Sequence, residues 1–154
     1  MEEKVALVTG SATGIGLACA QAFAKAGYIT VLADINEPEE QAESLVKEGY
    51  KAVAYRCDVS DTKAVKGMID WIVNSFGRLD AALNNAGIQT PQRPMAEITD
   101  DEFDRTVAVD LKGVWNCMRH EILQMLSQGG GAIVNTSSQG GVTGFPGQAA
   151  YIAC

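Results

Sequence analysis

A doubly wound α/β fold built on a parallel sheet is predicted by three features of the 154-residue sequence. Short apolar runs alternate with longer stretches of helix formers from the start, the order expected of βαβ units with right-handed crossovers. The first run, Val5-Ala6-Leu7-Val8, lacks polar alternation, as befits a strand covered on both faces. The helix-like stretches close on Gly27, Gly49 and Gly77, residues suited to a left-handed C-terminal turn.

After the first strand, Ile15 to Ala26 is rich in Ala and Leu-type helix formers. Tyr28 to Ala33 is a second β-branched run, closed by Asp34. Pro38 sits where a first helical turn tolerates it, and that helix stops at Gly49. Ala52 to Arg56 is a third strand, Asp61 to Phe76 a third helix, and Ala81 to Leu83 a fourth strand. Thr99-Asp100-Asp101-Glu102 reads as a capping box opening one long helix to about Ser127. Gly129-Gly130-Gly131 breaks it, and Ala132 to Val134 begins a fifth strand. There is no solenoid repeat, low-complexity tract or linker, so residues 1–154 read as one continuous domain.

Composition narrows the function. Apolar residues make up 47% and charged residues 20%, an ordinary globular balance. The formal net charge of −7, with no basic run, argues against nucleic acid or an anionic membrane surface as partner. No apolar run approaches the length of a membrane span. Met1-Glu2-Glu3-Lys4 leads straight into strand-like sequence, so no secretory signal is expected. Cys19, Cys57, Cys117 and Cys154 are widely spaced, and His120 is the one histidine. That pattern suits reduced thiols in a cytoplasmic protein and no metal site.

The first strand runs into Thr9-Gly10-Ser11-Ala12-Thr13-Gly14-Ile15-Gly16. A pyrophosphate can approach such a turn closely because glycine has no Cβ, and the helix that follows offers free N–H groups and a positive dipole end. A glycine-rich turn holding no ligand would look the same in isolation. Asp34 supplies the context: it ends the second strand eighteen residues after Gly16, where a carboxylate can accept hydrogen bonds from an adenosine ribose. Its plainer role is a turn aspartate. Asp34 would repel a 2′-phosphate, and no Arg or Lys lies in the loop or just after it. Among dinucleotides, NAD(H) is therefore expected over NADP(H).

The spacing G-x-x-x-G-x-G, in Thr9-Gly10 through Gly14-Ile15-Gly16, resembles the short-chain dehydrogenase/reductase family. Three more motifs recur in the family's order: Asp58-Val59 after the third strand, Asn84-Asn85-Ala86-Gly87 after the fourth, and Ile133-Val134-Asn135-Thr136-Ser137-Ser138 at the fifth. The resemblance implies a Rossmann-type fold. It also implies that Gly10, Thr13, Gly14, Ile15, Gly16, Asp34, Asp58, Val59, Asn85, Ala86, Gly87 and Tyr151 contact NAD. Asp58 could equally be a strand-end cap, and Asn84 to Gly87 a plain turn.

The resemblance further implies an oxidoreductase that interconverts an alcohol and a carbonyl by hydride transfer. Ser138 would hold the reacting oxygen, and Tyr151, thirteen residues on, would give or take its proton. A loop Ser and a packed Tyr are the structural alternatives. Two departures stand out. Tyr151-Ile152-Ala153-Cys154 closes the sequence one residue before the lysine of the family's Tyr-x-x-x-Lys. A free phenol keeps its proton to about pH 10, so ionising it near neutrality takes roughly 4 kcal/mol of selective stabilisation, much of which that lysine is implied to supply. Without it, a poor enzyme or an inactive NAD-binding module is expected. The second departure is Asp110, which stands where the family carries an asparagine that holds a relay water. Asp can also hold a water, but it adds charge and has no amide donor. Its alternative is a helix Asp paired with a nearby Lys or Arg.

Family members continue past this point, so residues 1–154 read as an incomplete dinucleotide-binding domain, a fragment or truncated product. The fifth strand would then be an edge with unpaired backbone groups. If the chain is complete as made, low stability, self-association or rescue by partner chains is expected. Assembly through the long helix and the helix at Tyr151, implied by the resemblance, makes a homo-oligomer the expected state. His120 reads as a solvated or packed helix residue, and Trp71, Trp115, Met68, Met118 and Met125 as core packing. Ile88 to Met95, irregular and holding Pro91 and Pro94, either borders the substrate or is a stiffened surface loop.

Overall fold

The five apolar runs pair into one parallel sheet in which the third, second, first, fourth and fifth runs lie side by side. The computed structural model describes residues 3–154, so Met1 and Glu2 of the leading segment lie outside it. The strands are β1 (Val5–Thr9), β2 (Ile29–Asp34), β3 (Ala52–Arg56), β4 (Ala81–Asn84) and β5 (Ala132–Asn135). Helices α1 (Gly14–Lys25), α2 (Glu39–Lys47) and α3 (Thr62–Phe76) connect the first four. Between β4 and β5 come α4 (Asp100–Thr106), a π-helical turn (Val107–Leu111) and α5 (Lys112–Ser127). A short α6 (Ala149–Ala153) follows β5. The predicted doubly wound α/β class is the observed one.

Register explains where the site falls. Val5 to Thr9 of β1 align with Ile29 to Ala33 of β2, and Ala6 to Val8 with Ala81 to Leu83 of β4. Chain order reverses on the two sides of β1, so the carboxyl ends of β1 and β4 open a crevice between flanking layers. Two apolar cores back the sheet. One holds Val5, Leu7, Val31, Met68, Ile72 and Met125. The other, against α1 and α2, holds Val8, Ala20, Leu32 and Leu45. β3 and β5 are the two edge strands, and along β5 only Ile133 is even half-buried.

Three local features differ from the sequence reading. Pro38 is the N-cap of α2 and not within its first turn. The long helix is interrupted: one wide π turn spans Val107–Leu111, and Asp110 inside it reaches across to the Ile88 N–H at 2.8 Å. Trp115 is not core; it is 54% exposed on the outer face of α5, with the Arg119 guanidinium 5.4 Å from its ring centre. Met68 and Met125 are buried as expected.

One buried polar contact stands out between α5 and the sheet. Glu121 is fully buried, and its Oε2 accepts from Asn84 Nδ2 at 3.0 Å, while the same amide donates to Asn135 Oδ1. Glu121 Oε1 and Asn84 Oδ1 have no partner. Burial pushes the carboxyl up to about 7 against the opposing pull of the Asn84 amide. Folding therefore favours the protonated acid. The penalty is absent below the ordinary value of 4.5, grows as pH rises from there, and is complete above about 7. Glu121→Gln should remove that penalty, on the order of 3 kcal/mol at pH 8 and little at pH 4.5. Thermal unfolding at both values checks this; a gain that is equal at the two would contradict it.

Candidate active site

The crevice is organised by Thr9. Its Oγ1 accepts from the backbone N–H groups of Asn85 (3.0 Å) and Ala86 (3.1 Å), which locks the end of β1 to the end of β4. Asn85 completes the lock: its Nδ2 donates to the Gly10 carbonyl at 3.3 Å, and its Oδ1 accepts from Thr136 Oγ1 at 3.1 Å. Three strand ends thus meet at one side chain.

The glycines fit this closeness in different ways. A Cβ on Gly10 would lie 2.7 Å from the Ala86 Cα, and φ there is 65°. A Cβ on Gly16 would lie 2.0 Å from the Gly10 carbonyl oxygen. Gly14 also needs a positive φ, 58°, but faces open space. Gly16 is therefore buried beneath the loop and does not line the crevice, whereas Gly10, Thr13, Gly14 and Ile15 do. Thr13, the N-cap of α1, makes no side-chain cap bond.

Asp34 faces the loop. Its Oδ2 accepts from the Ala12 N–H at 3.0 Å and its Oδ1 from the Asn36 N–H at 2.9 Å. Ser11 is tied to the Ala33 carbonyl through its backbone N–H and its hydroxyl. Asp34, Asp58, Val59, Asn85, Ala86 and Gly87 line the same cleft of about 420 Å³ as the glycine loop. Asp58 Oδ1 accepts from both the N–H and the hydroxyl of Ser60, at 2.9 and 2.7 Å.

A second cleft of about 320 Å³ adjoins the first through Ile15 and residues 85–88, and it gathers Asp110, Ser138 and Tyr151. Ser138 Oγ and Tyr151 Cε1 lie 3.5 and 3.7 Å from the point a Cβ on Gly140 would occupy, so both side chains flank that glycine at the cleft. Ser138 Oγ accepts from the Gly140 N–H at 3.1 Å. Asp110 Oδ1 takes the Ile88 N–H, and its buried Oδ2 has no partner. Burial raises the Asp110 carboxyl above its ordinary range, with the Ile88 bond working against that rise.

The sequence reading missed several neighbours. Ile35, Asn36, Val109 and Arg105 line the first cleft, and Cys154 and Ile152 the second. Ile35 and Asn36 could have been inferred from adjacency to Asp34, but Arg105 carried no signal because its position depends on how α4 packs. The register of β2 and β3 also sets Arg56 beside Asp34. Its Nε donates to the Ile35 carbonyl at 3.2 Å, and Nη1 lies 3.7 Å from Glu37. Among the described residues no three His, Cys, Asp or Glu side chains are grouped to hold a metal, and no helix is long and apolar enough to cross a membrane.

Residues 4–154 match the family described as short chain dehydrogenase. The chain is 42% identical to the 3-oxoacyl-(acyl-carrier-protein) reductase FabG of Staphylococcus aureus, covering 97% of this chain and 62% of that protein. It is 39% identical to the 3beta-hydroxysteroid dehydrogenase of Mediterraneibacter gnavus, over 99% of this chain and 55% of that one. Among solved structures, NAD+-bound xylitol dehydrogenase superposes with a TM-score of 0.93 at 39% identity, over 97% of this chain and 58% of that one. The chain thus spans between half and two thirds of the length of these relatives.

The two glycines at the loop should respond differently to alanine. Gly16→Ala meets fixed backbone and should cost about 3 kcal/mol, whereas Gly14→Ala meets only the left-handed backbone cost of about 1–2 kcal/mol. Denaturant unfolding of both variants checks the order; equal losses would contradict it.

Proposed function

We propose that this chain, which belongs to the short chain dehydrogenase family, binds NAD(H) in the paired clefts and carries the Ser–Tyr part of a site that interconverts an alcohol and a carbonyl. The observation that carries the reading is Asp34. The β2 carboxylate is aimed at the glycine loop by the Ala12 N–H, within the cleft that the loop lines. Each Asp34 oxygen keeps a lone pair for a ribose hydroxyl. The residues fit a dinucleotide: Gly14 leaves open space where a Cβ would be a wall, and the start of α1 has no side-chain cap competing for its N–H groups. NAD(H) is favoured over NADP(H) because Asp34 opposes a 2′-phosphate and the nearby Arg56 is engaged by Ile35 and Glu37.

In this reading the nicotinamide, when bound, gives or takes hydride. The chain does the rest. Ser138 Oγ already accepts from the Gly140 N–H, so its hydroxyl hydrogen is left to donate to the substrate oxygen. Tyr151 gives or takes the proton at that oxygen. Asp110 fixes residue 88 through the Ile88 N–H and presents its unpartnered Oδ2 to a relay water. Substrates are small-molecule alcohols and carbonyls. Leu111, the N-cap of α5, and Trp115, Ile122 and Leu126 along that helix are exposed apolar side chains at helical spacing, which supports a homo-oligomer assembled through α5; the widely spaced cysteines support a cytoplasmic setting.

Fluorescence titration with NADH and NADPH tests the cofactor reading. NADH should bind at least about tenfold more tightly, and tighter NADPH binding would overturn the preference. Tyr151→Phe should keep NADH binding and lose turnover across a panel of alcohols; unchanged turnover would remove Tyr151 from the mechanism.

A further inference from the structure

Arg105 lines the first cleft from α4, although nothing in its sequence context marks it. Its Nη1 lies 3.5 Å from Asp58 Oδ2 and 3.2 Å from Ser60 Oγ. Ser60 in turn gives both its N–H and its hydroxyl to Asp58 Oδ1. The three residues close a triangle in which each Asp58 oxygen is held from a different side. Apolar side chains of Ile35, Val59 and Val109 line the same cleft. Beside these apolar walls, the fixed Asp58 carboxylate suits a flat heteroaromatic ring that offers an N–H edge, while Asp34 in the same cleft is held by the Ala12 and Asn36 N–H groups.

An exposed ion pair of this length contributes little to stability, and Arg105 is 47% exposed. Its value lies in orientation. Freed from Arg105, the Asp58 carboxylate could turn about its side-chain torsions, with Ser60 following one oxygen. With Arg105 in place, the second oxygen stays at the cleft with a lone pair to spare.

We propose that Arg105 is a positioning residue for base recognition: paired with Asp58 across the cleft, it fixes that carboxylate as the acceptor for the amino edge of adenine. This rests on the dinucleotide reading above. It makes the cleft selective for a 6-amino purine over a 6-oxo purine, whose ring edge presents a carbonyl acceptor to the carboxylate.

Calorimetric titration of the protein with AMP and IMP tests it without any need for turnover. The wild type should prefer AMP by about tenfold. Arg105→Ala should lose most of that preference, chiefly by weakening AMP, and Arg105→Lys should recover part of it. Should Arg105→Ala not fold, Arg105→Met, which keeps the apolar stem, is read in the same way. An unchanged AMP preference in the variant, or equal weakening of AMP and IMP, would overturn the role of Arg105 while leaving the dinucleotide reading in place. A wild type that binds neither nucleotide would overturn that reading and, with it, this one.

Discussion

The structure depends on how closely the β1 turn approaches the end of β4. Thr9 Oγ1 takes two backbone N–H groups from residues 85 and 86, and Gly10 lies so near Ala86 that a Cβ would overlap its backbone. This contact sets both clefts at once. On one side it leaves the loop and the start of α1 facing Asp34; on the other it presents residues 85–88 to Ser138, Asp110 and Tyr151. Two hydrogen bonds on one hydroxyl, each worth about 1 kcal/mol net, do not explain the fold's stability. They explain its geometry, because each buried N–H would be costly to leave without an acceptor.

Around that contact the chain distributes its buried polar groups unevenly. Asn85 and Asp34 are satisfied from within the loop and the strand ends, so they are pre-oriented. Asp110 Oδ2 and Glu121 Oε1 are not satisfied. The first belongs to a residue that lines the second cleft, although the oxygen itself is buried. The second lies under the sheet beside Asn84, and its proton is the simplest way to limit the charge buried there. The same element, α4 through α5, carries both. The π turn that brings Asp110 to Ile88 lies just before the helix that buries Glu121.

The fold was legible in the sequence because its signals are local. Short unalternated runs such as Val5-Ala6-Leu7-Val8, bounded by turn residues, fit strands covered on both faces, and Gly77 at φ 79° ends α3 where its residue type says it should. The glycine loop and Asp34 were legible because spacing along a βαβ unit fixes their proximity. What escaped depends on packing between elements distant in sequence. The π turn at Val107–Leu111 has no propensity signature. Trp115 looks like a core residue until the orientation of α5 is known. Arg56 comes beside Asp34 only through strand register, and Arg105 reaches the cleft only through the seating of α4. Gly16 packs beneath the loop, where a Cβ would meet the Gly10 carbonyl oxygen; motif spacing alone does not distinguish a glycine needed for ligand approach from one needed for helix–strand packing.

A crystal structure of the protein with NAD+ tests the central claim most directly. The account predicts the diphosphate against the N–H groups at the start of α1, the adenosine ribose hydroxyls within hydrogen-bond distance of Asp34, and the nicotinamide between residues 85–88 and Tyr151. A dinucleotide bound elsewhere, or one whose ribose leaves Asp34 untouched, would contradict it.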